Sequence, residues 1–214
     1  YLQDRTPVSP GDVPETLKQA LVATEDVRFY SHDGVDVMSL FRVLIKTLLL
    51  QRESSGGGST ITQQLAKNLY PRRSYAMLSM PVNKVREMII AARLEKVYTK
   101  DEILVLYLNT IPFADNTYGV KTAADRFFST AVKDLTIDQS AMLVGMLKAT
   151  HSYNPRLFPD RARQRRNLVI AQIALGLVDE AQQFLPRLVA FPLLFDKPLE
   201  IEPDHLVHRR ATHR

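Results

Sequence analysis

The 214-residue sequence predicts a mainly all-α protein. Apolar residues recur at helical spacing along most of the chain, and almost no segment alternates with the period of a strand. A third observation is the repeated pattern of a helix capping box, in which a hydroxyl residue stands three positions before a Glu or Gln near the start of an apolar run. The three boxes are Thr60 with Gln63, Thr99 with Glu102, and Thr136 with Gln139.

The first helix is predicted to begin at Pro14 and to end near Thr24. Proline suits an opening turn because the amide that it lacks would have no helical partner there. Leu17, Ala20 and Leu21 then share one face, which indicates that this face packs into a core.

The segment Val37 to Leu50 is apolar except for Arg42 and Lys46, which share one helical face. Asp36 precedes the segment and is expected to cap the helix. No stretch of the chain approaches the roughly 18 consecutive apolar residues of a membrane span. Two locations remain possible for this helix. It suits a core with two solvated cations, which the pattern alone favours, or a membrane interface with its cations facing head groups.

Further helices are predicted after each capping box and in two other segments. The polar, glycine-rich residues 53–58 predict a loop. One additional helix covers Val82 to Lys96, and another begins near Asp160 and ends near Gly176. Beyond Pro186 the chain is predicted to be a linker or a peripheral segment. The apolar stripe of the helix over 82–96 is expected to consist of Val85, Met88, Ile89 and Ala92.

The chain carries 28 basic and 23 acidic residues, which gives a formal net charge of +5. This excess suits a phosphate-bearing ligand, an anionic membrane surface or nucleic acid. Nucleic acid is not favoured, because the sequence has no zinc-finger spacing, no aromatic ribonucleoprotein motif and no basic zipper. The absence of cysteine excludes disulfides and thiolate sites. Since the chain starts at Tyr1 without a signal peptide, we expect it to be an excised domain.

Residues 25–34 place two carboxylates and a histidine beside the predicted end of the first helix. A partly buried carboxylate such as Glu25 suits a general base. Taken alone, the pair Glu25 and Asp26 is more typical of a solvated helix end. His32 is more typical of a hydrogen-bonding residue that holds the turn than of a catalyst.

A second stretch, residues 58–68, leads from a glycine run into a helix. Its glycines allow close backbone approach, and a helix N-terminus attracts anions. Gln64 and Lys67 lie at i,i+3 on that helix, so an amide and an ammonium point the same way.

Arg72, Arg73 and Lys84 add cations downstream, and Glu87 stands one helical turn after Lys84. A carboxylate among cations can orient them or share a divalent metal with a phosphate. Solvated surface salt bridges are the alternative interpretation. With Glu25, these residues suggest a general base that faces an anion-binding cradle.

These motifs, with others downstream, resemble the glycosyltransferase family 51 domain. This is the peptidoglycan glycosyltransferase module of class A penicillin-binding proteins and monofunctional transglycosylases. The resemblance extends from about Leu17 to Ile173. It is carried, in chain order, by residues 25–34, residues 58–68, Lys84-Val85-Arg86-Glu87 with Ala91, Leu94 and Glu95, Ile103 to Asn109, Tyr118-Gly119-Val120, Leu143 to Met146, Tyr153-Asn154-Pro155 and Arg166-Asn167.

The resemblance implies a lysozyme-like large lobe with a small membrane-contacting jaw lobe. The glycosyltransferase domain would cover residues 1–185, with the jaw region at about 35–58, and residues 186–214 would be a C-terminal linker or peripheral segment. The implied reaction is polymerisation of lipid II, an undecaprenyl-pyrophosphoryl disaccharide-pentapeptide. The growing lipid-linked glycan is transferred to the 4-hydroxyl of GlcNAc with inversion, which forms a β-1,4 link.

The resemblance also assigns roles to residues. Glu25 would be the catalytic base and Glu87 a second catalytic carboxylate, which orients the cations or holds Mg²⁺ or Mn²⁺; no organic cofactor is implied. Lys67, Arg73 and Lys84 would neutralise the pyrophosphate. The remaining residues expected at the cleft are Ser59, Thr60, Gln63, Gln64, Asn68, Asp26, Phe29, His32 and Gly34.

The partners that the family implies are lipid II, the growing glycan strand, moenomycin-type inhibitors, and divisome or elongasome proteins, with no role for nucleic acid. A membrane surface would be met through Val37 to Leu50, which reverses the preference for a core position. The location implied is the bacterial cell envelope, at the outer (periplasmic) face of the cytoplasmic membrane. We expect the native membrane anchor to lie outside this chain.

The sequence departs from the family pattern in several places. Asn83 stands where the family commonly has an arginine before Lys84, and Arg86 projects in a different direction. A few extra residues, including Pro81, separate Arg73 from Lys84. We therefore expect activity with altered affinity for the pyrophosphate. Two pairs, Phe113-Ala114 and Phe128-Ser129, replace more usual Phe-Gly pairs.

Two other functions are considered. A lysozyme-like glycan hydrolase would also use paired carboxylates, but it has no need of the cations. A catalytically silent helical module that docks to the membrane or to a divisome partner would be supported only by Asn83 and the extra residues. The chain has no Ser-x-x-Lys or Lys-Thr-Gly motif, so no transpeptidase lies within it.

Overall fold

A computed structural model describes residues 7–42, 58–74 and 78–184. These residues form α-helices and short 3-10 turns with no strand, apart from one isolated bridge between Pro112 and Tyr118. The all-α prediction is therefore confirmed. The helices are α1 (Glu15–Glu25), α2 (from 37, described to 42), α3 (Ile61–Leu69), α4 (Ser79–Val97), α5 (Lys100–Thr110), α6 (Val120–Phe128), α7 (Ile137–Leu147) and α8 (Pro159–Phe184).

The core forms where α1 packs against α7 and α8, and where α3 packs against α4 and α5. Leu17, Ala20 and Leu21 of α1 are completely buried, as the sequence predicts. Full burial of a leucine side chain stabilises a fold by about 1.5–3 kcal/mol. This helix is thus firmly anchored, and its last residue, Glu25, is held in a defined position.

Helix α4 turns a different face inward from the predicted one. Its buried residues are Asn83, Glu87 and Ala91, whereas Val85 and Ile89 are 55% and 50% exposed. The prediction of an apolar stripe was wrong because Asn83 and Glu87 have hydrogen-bonding partners in the segment before the helix. Buried polar groups that are paired in this way lose little by leaving water.

Two helix bounds also differ from the prediction. Helix α4 begins at Ser79, so Pro81 lies within its first turn, where a missing amide costs nothing. Helix α8 continues through Gly176 to Phe184. A glycine lowers helix propensity but does not end a helix that other residues hold in place.

Two of the three capping boxes are complete, at Thr99 with Glu102 and at Thr136 with Gln139. At α3 only half of the predicted box is present. The Thr60 hydroxyl accepts a hydrogen bond from the Gln63 amide, but the Gln63 side chain bonds Lys84 instead of reaching back.

Helix α2 is capped by Asp36, as predicted. The Ser39 amide and hydroxyl donate to the Asp36 carboxylate over 3.0 and 2.6 Å, and Arg28 pairs with it. Burial disfavours the Asp36 charge, but the bonds from Ser39 and Arg28 outweigh that effect and hold the pKa of Asp36 below its ordinary value.

Several predictions lie wholly or mostly outside the described residues. They are the loop at 53–58, most of the jaw region and of the helix from Val37 to Leu50, and the segment 186–214. Within the described part of the chain, no helix combines the length and apolarity needed to cross a membrane.

Left-handed backbone follows the first of the replaced Phe-Gly pairs and lies within the second. Asp115 and Asn116, with φ of 58° and 55°, form the turn that follows Ala114. Ser129 has φ 50° and ends α6. A non-glycine residue in this region is strained.

We therefore predict that Ser129→Gly stabilises the fold by about 0.5–1 kcal/mol, because glycine adopts the left-handed cap without a Cβ penalty. Urea unfolding monitored by circular dichroism measures the change. Ser9→Gly is the matched control, since Ser9 has φ −84° and glycine relieves no strain there. A lower unfolding free energy for Ser129→Gly than for the unmodified protein would contradict the prediction.

Candidate active site

Glu25 ends α1 beside a cavity of about 330 Å³. Its carboxylate is partly buried and accepts a hydrogen bond of 3.0 Å from the Gln64 side-chain amide. A carboxylate oriented by an amide and open to a cavity is suited to take a proton from a bound hydroxyl. The cavity is lined by Thr24, Glu25, Asp26, Val27, Arg28, Asp36, Ser39, Arg42, Gly58, Ser59 and Thr60.

Asp26 faces the protein interior and links the end of α1 to α3. Both of its oxygens lie 3.1 Å from His32 Nε2, and one accepts a 3.0 Å bond from the Ile61 amide. The sequence suggested a helix N-terminus open to a ligand anion. The structure instead gives the Ile61 amide at that N-terminus to Asp26.

His32 is a structural residue, as its sequence context indicates. The Gly34 amide donates to His32 Nδ1 over 3.2 Å, so Nε2 carries the proton and donates to Asp26. Lys100 donates to the His32 carbonyl and lies 4.4 Å from the centre of the buried Phe29 ring. Phe29 and His32 therefore support the turn that follows Glu25.

Gly34 is the point where this turn meets α3 and α4. The Thr60 hydroxyl donates to the Gly34 carbonyl over 2.6 Å. Gly34 has φ +84°, and a Cβ added there would lie 2.8 Å from the backbone of Ala91. Only glycine fits this approach, so Gly34 fixes the distance between the Glu25 turn and α4.

Lys84 joins the start of α3 to α4. Its ammonium donates to Ser59 Oγ over 2.8 Å and to Gln63 Oε1 over 2.6 Å, and it lies 3.6 Å from Glu87. Burial lowers the pKa of Lys84, Glu87 partly offsets this, and the nearby charges of Arg72 and Lys67 lower it further. We call Lys67, Arg72 and Lys84 with Glu87 the cationic cluster.

Arg72 is a cation of the predicted cradle to which the family resemblance assigned no role at the pyrophosphate. Its Nε donates to the buried Glu87 carboxylate over 2.9 Å. The Arg73 side chain is exposed, and its assigned role at the pyrophosphate stays a prediction. The sequence carries the signal as a pair of adjacent arginines, but it cannot indicate which of the two turns towards α4.

Asn83 explains the arrangement of this segment. It is 3% exposed, accepts a bond from the Arg73 amide over 3.0 Å, and donates to the Arg73 carbonyl over 2.7 Å. A second bond runs to the Ser79 carbonyl. The asparagine thus binds the backbone at Arg73 to α4 through hydrogen bonds. Arg72 places a cation beside Glu87.

Four further predicted site residues, Gln63, Gln64, Lys67 and Asn68, lie on helix α3. Lys67 is exposed and Asn68 is half-buried near its C-terminal end. Gln64 faces Glu25, whereas Gln63 faces Lys84. The structure therefore brings Glu25 and the cationic cluster together through adjacent glutamines.

The residues of the cationic cluster do not form a ligand set for a resident metal. Both Glu87 oxygens are engaged by cations, Arg72 at one and Lys84 at the other. Among the described residues, no group of three His, Cys, Asp or Glu side chains could hold a metal ion.

The chain matches a family model and is similar to known proteins. A family model described as "Transglycosylase" matches residues 1–174. Penicillin-binding protein 1F of Bacillus subtilis is 39% identical over 173 residues, which are 81% of this chain and 24% of that protein. Penicillin-binding protein 1A of Escherichia coli is 41% identical over 171 residues, 79% of this chain and 19% of that protein. The chain thus spans about a fifth to a quarter of these relatives.

We predict that Gly34→Ala destabilises the protein by about 2 kcal/mol or more, because the new Cβ meets the Ala91 backbone in a strained conformation. Thermal and urea unfolding measure the change. Gly176→Ala is the matched control: it makes the same substitution in α8, where a Cβ meets no atom within 4 Å. The control is expected to be neutral or stabilising. Equal midpoints for the two variants would contradict the close approach at Gly34.

Proposed function

The chain belongs to the transglycosylase family, and we propose that it polymerises peptidoglycan glycan strands from lipid II. The observation that carries the proposal is that adjacent residues of α3 bind a carboxylate and an ammonium: Gln64 binds Glu25 at the end of α1, and Gln63 binds the half-buried Lys84 of α4. A base and a cationic cluster at one cleft suit transfer of a sugar from a pyrophosphate.

In the proposed reaction, Glu25 takes the proton of the acceptor GlcNAc 4-hydroxyl. The oxygen attacks the anomeric carbon of the growing strand from the face opposite the leaving group. The bond from that carbon to the lipid pyrophosphate breaks, and its electron pair leaves with the pyrophosphate. The product is a β-1,4 link with inverted configuration.

The cationic cluster acts on the leaving group. Lys84 and Arg72, with Lys67 nearby, offer positive charge to a pyrophosphate whose negative charge grows as the bond breaks. Fixed charges stabilise such a transition state because they need no reorganisation during the reaction. Glu87 orients Arg72 and Lys84, and the adjacent cleft polar groups of Ser59 and Gln63 hold Lys84 between turnovers.

A divalent cation enters the proposal only with the substrate. Mg²⁺ is commonly bound by one or two carboxylates together with substrate phosphates. Mg²⁺ or Mn²⁺ would accordingly reach the cleft on the pyrophosphate, and it would meet Glu87 only by displacing Arg72 or Lys84 from one of its oxygens. We derive no step of the reaction from this ion.

Membrane contact is proposed through α2. Its first turns expose Val37, Met38 and Phe41, which are 69%, 63% and 58% accessible. Apolar side chains that project from a short helical surface suit the interface of a bilayer. This arrangement supports contact with a membrane surface, and we propose the outer face of the cytoplasmic membrane as the location. Moenomycin-type inhibitors and divisome or elongasome proteins are further proposed partners.

The two alternative functions gain no support from the site. A glycan hydrolase acts on a neutral link, so it leaves the half-buried Lys84 and its neighbouring cations without a role. The silent docking module rested on Asn83 and on the extra residues between Arg73 and Lys84. Asn83 has a structural role, because it binds the Arg73 backbone. Of the extra residues, Pro81 lies in the first turn of α4.

We expect Glu25→Gln to lower the rate of polymerisation by roughly 10²–10⁴-fold, because the amide cannot accept the acceptor proton. Labelled lipid II and gel analysis of glycan length measure the rate, and shortened glycan would indicate a hydrolase. Glu15→Gln in the exposed first turn of α1 is the matched control. Near-normal turnover of Glu25→Gln would refute the assignment.

The two neighbouring arginines provide a second test. Arg72→Gln is expected to lower kcat/KM for lipid II by roughly tenfold or more, since a charged hydrogen bond contributes about 1.5–3 kcal/mol. Arg73→Gln should lose less, because Glu87 is paired with Arg72 and Lys84, whereas Arg73 is bound to α4 through its backbone. Initial rates at several lipid II concentrations measure both. A larger loss for Arg73→Gln would reverse the assignment of the two residues.

A further inference from the structure

Tyr107 is a completely buried residue of α5 that reaches Glu25 through one intervening side chain. Its hydroxyl donates to Gln64 Oε1 over 2.9 Å. The amide group of the same glutamine donates to Glu25 Oε2 over 3.0 Å. Helices α5, α3 and α1 are thereby connected by a chain of two hydrogen bonds that ends on the base of the proposed reaction.

The direction of this chain is fixed by the Glu25 carboxylate, which can only accept hydrogen bonds. Gln64 must turn its NH₂ group towards the carboxylate, which leaves its oxygen for the Tyr107 hydroxyl. Burial raises the pKa of Tyr107 well above its ordinary value, and the negative charge of Glu25 adds to the effect. The phenol is therefore protonated and donates to that oxygen.

The orientation of Gln64 matters because an amide has two nearly isosteric ends. A flipped amide would place its oxygen beside the Glu25 carboxylate, and two acceptors repel each other. In that orientation the buried Tyr107 hydroxyl would also lose the oxygen to which it donates. The neighbouring Gln63 makes a separate contact, in which its oxygen accepts from Lys84. Glu25 and Tyr107 thus favour the same orientation of Gln64 from its two ends.

We propose that Tyr107 is a positioning residue for catalysis, which acts through Gln64 to hold the Glu25 carboxylate in its reactive orientation. The inference rests on the proposed function, because it assigns Glu25 the role of base. A purely structural tyrosine would fill the core with its ring, and the loss of its hydroxyl would change stability without changing the chemical step.

A double-mutant cycle separates these roles. The proteins are the unmodified chain, Tyr107→Phe, Gln64→Met and the double variant, compared by initial rates of lipid II polymerisation. We expect Tyr107→Phe to lower kcat about tenfold with KM nearly unchanged, a loss of about 1.4 kcal/mol in the transition state. In the Gln64→Met background the same change should have less than a twofold effect. Full multiplication of the two losses would overturn the proposal.

Thr110→Val is the matched control, because it removes a hydroxyl from the same helix, α5. The hydroxyl of Thr110 donates to backbone carbonyls of α5 itself. This variant should leave kcat within about twofold. A tenfold loss in this control, equal to that of Tyr107→Phe, would attribute the effect to α5 in general and overturn the proposal.

A measurement that needs no activity tests the hydrogen-bond chain separately from the proposed reaction. In ¹⁵N-labelled protein, the Gln64 side-chain amide signals should shift in Glu25→Gln and in Tyr107→Phe, and stay in place in Thr110→Val. Unchanged Gln64 signals in Tyr107→Phe overturn the proposed hydrogen-bond chain even if polymer forms. Failure of the unmodified protein to polymerise lipid II, with those shifts present, refutes the proposed function alone.

Discussion

The rest of the site depends on the hydrogen bonds that the Asp26 carboxylate accepts. It binds the Ile61 amide at the N-terminus of α3 and the imidazole of His32, so it ties the end of α1 to α3 and to the turn between them. A carboxylate is well placed at a helix N-terminus, where the helix dipole and the unpaired amides favour negative charge. Glu25 is held in a fixed position relative to α3 because Asp26, the residue that follows it, is hydrogen-bonded to Ile61 and to His32.

The same helix, α3, serves both halves of the cleft. Its adjacent glutamines point to opposite partners, Gln64 to Glu25 and Gln63 to Lys84. Neither amide is free to exchange partners, since Tyr107 holds the first and the Lys84 ammonium requires the oxygen of the second. The base and the cations are therefore set by one rigid element, which is the preorganisation that electrostatic catalysis requires.

Much of this arrangement could be predicted from the sequence where a local rule decides it. The buried face of α1, the Asp36 cap and two capping boxes follow from periodicity and from hydroxyl or carboxylate positions. The buried face of α4 could not be predicted, because Asn83 and Glu87 are polar residues whose partners lie in a separate segment. The choice of Arg72 over Arg73 at Glu87 depends on the same contacts. Tyr107 was visible as part of a motif, but its bond to Gln64 exists only in three dimensions.

Lys84 already has acceptors of its own in the protein, and this affects how product would depart. Its ammonium is occupied by Ser59 and Gln63, so an incoming pyrophosphate must exchange with those oxygens. The net gain on binding is only the difference between the two sets of bonds. In the proposed reaction, Ser59 and Gln63 would bind the ammonium again when the spent lipid pyrophosphate dissociates, so the half-buried charge would keep its acceptors. Such an exchange would keep affinity for the product moderate and would allow the cleft to empty before the next addition.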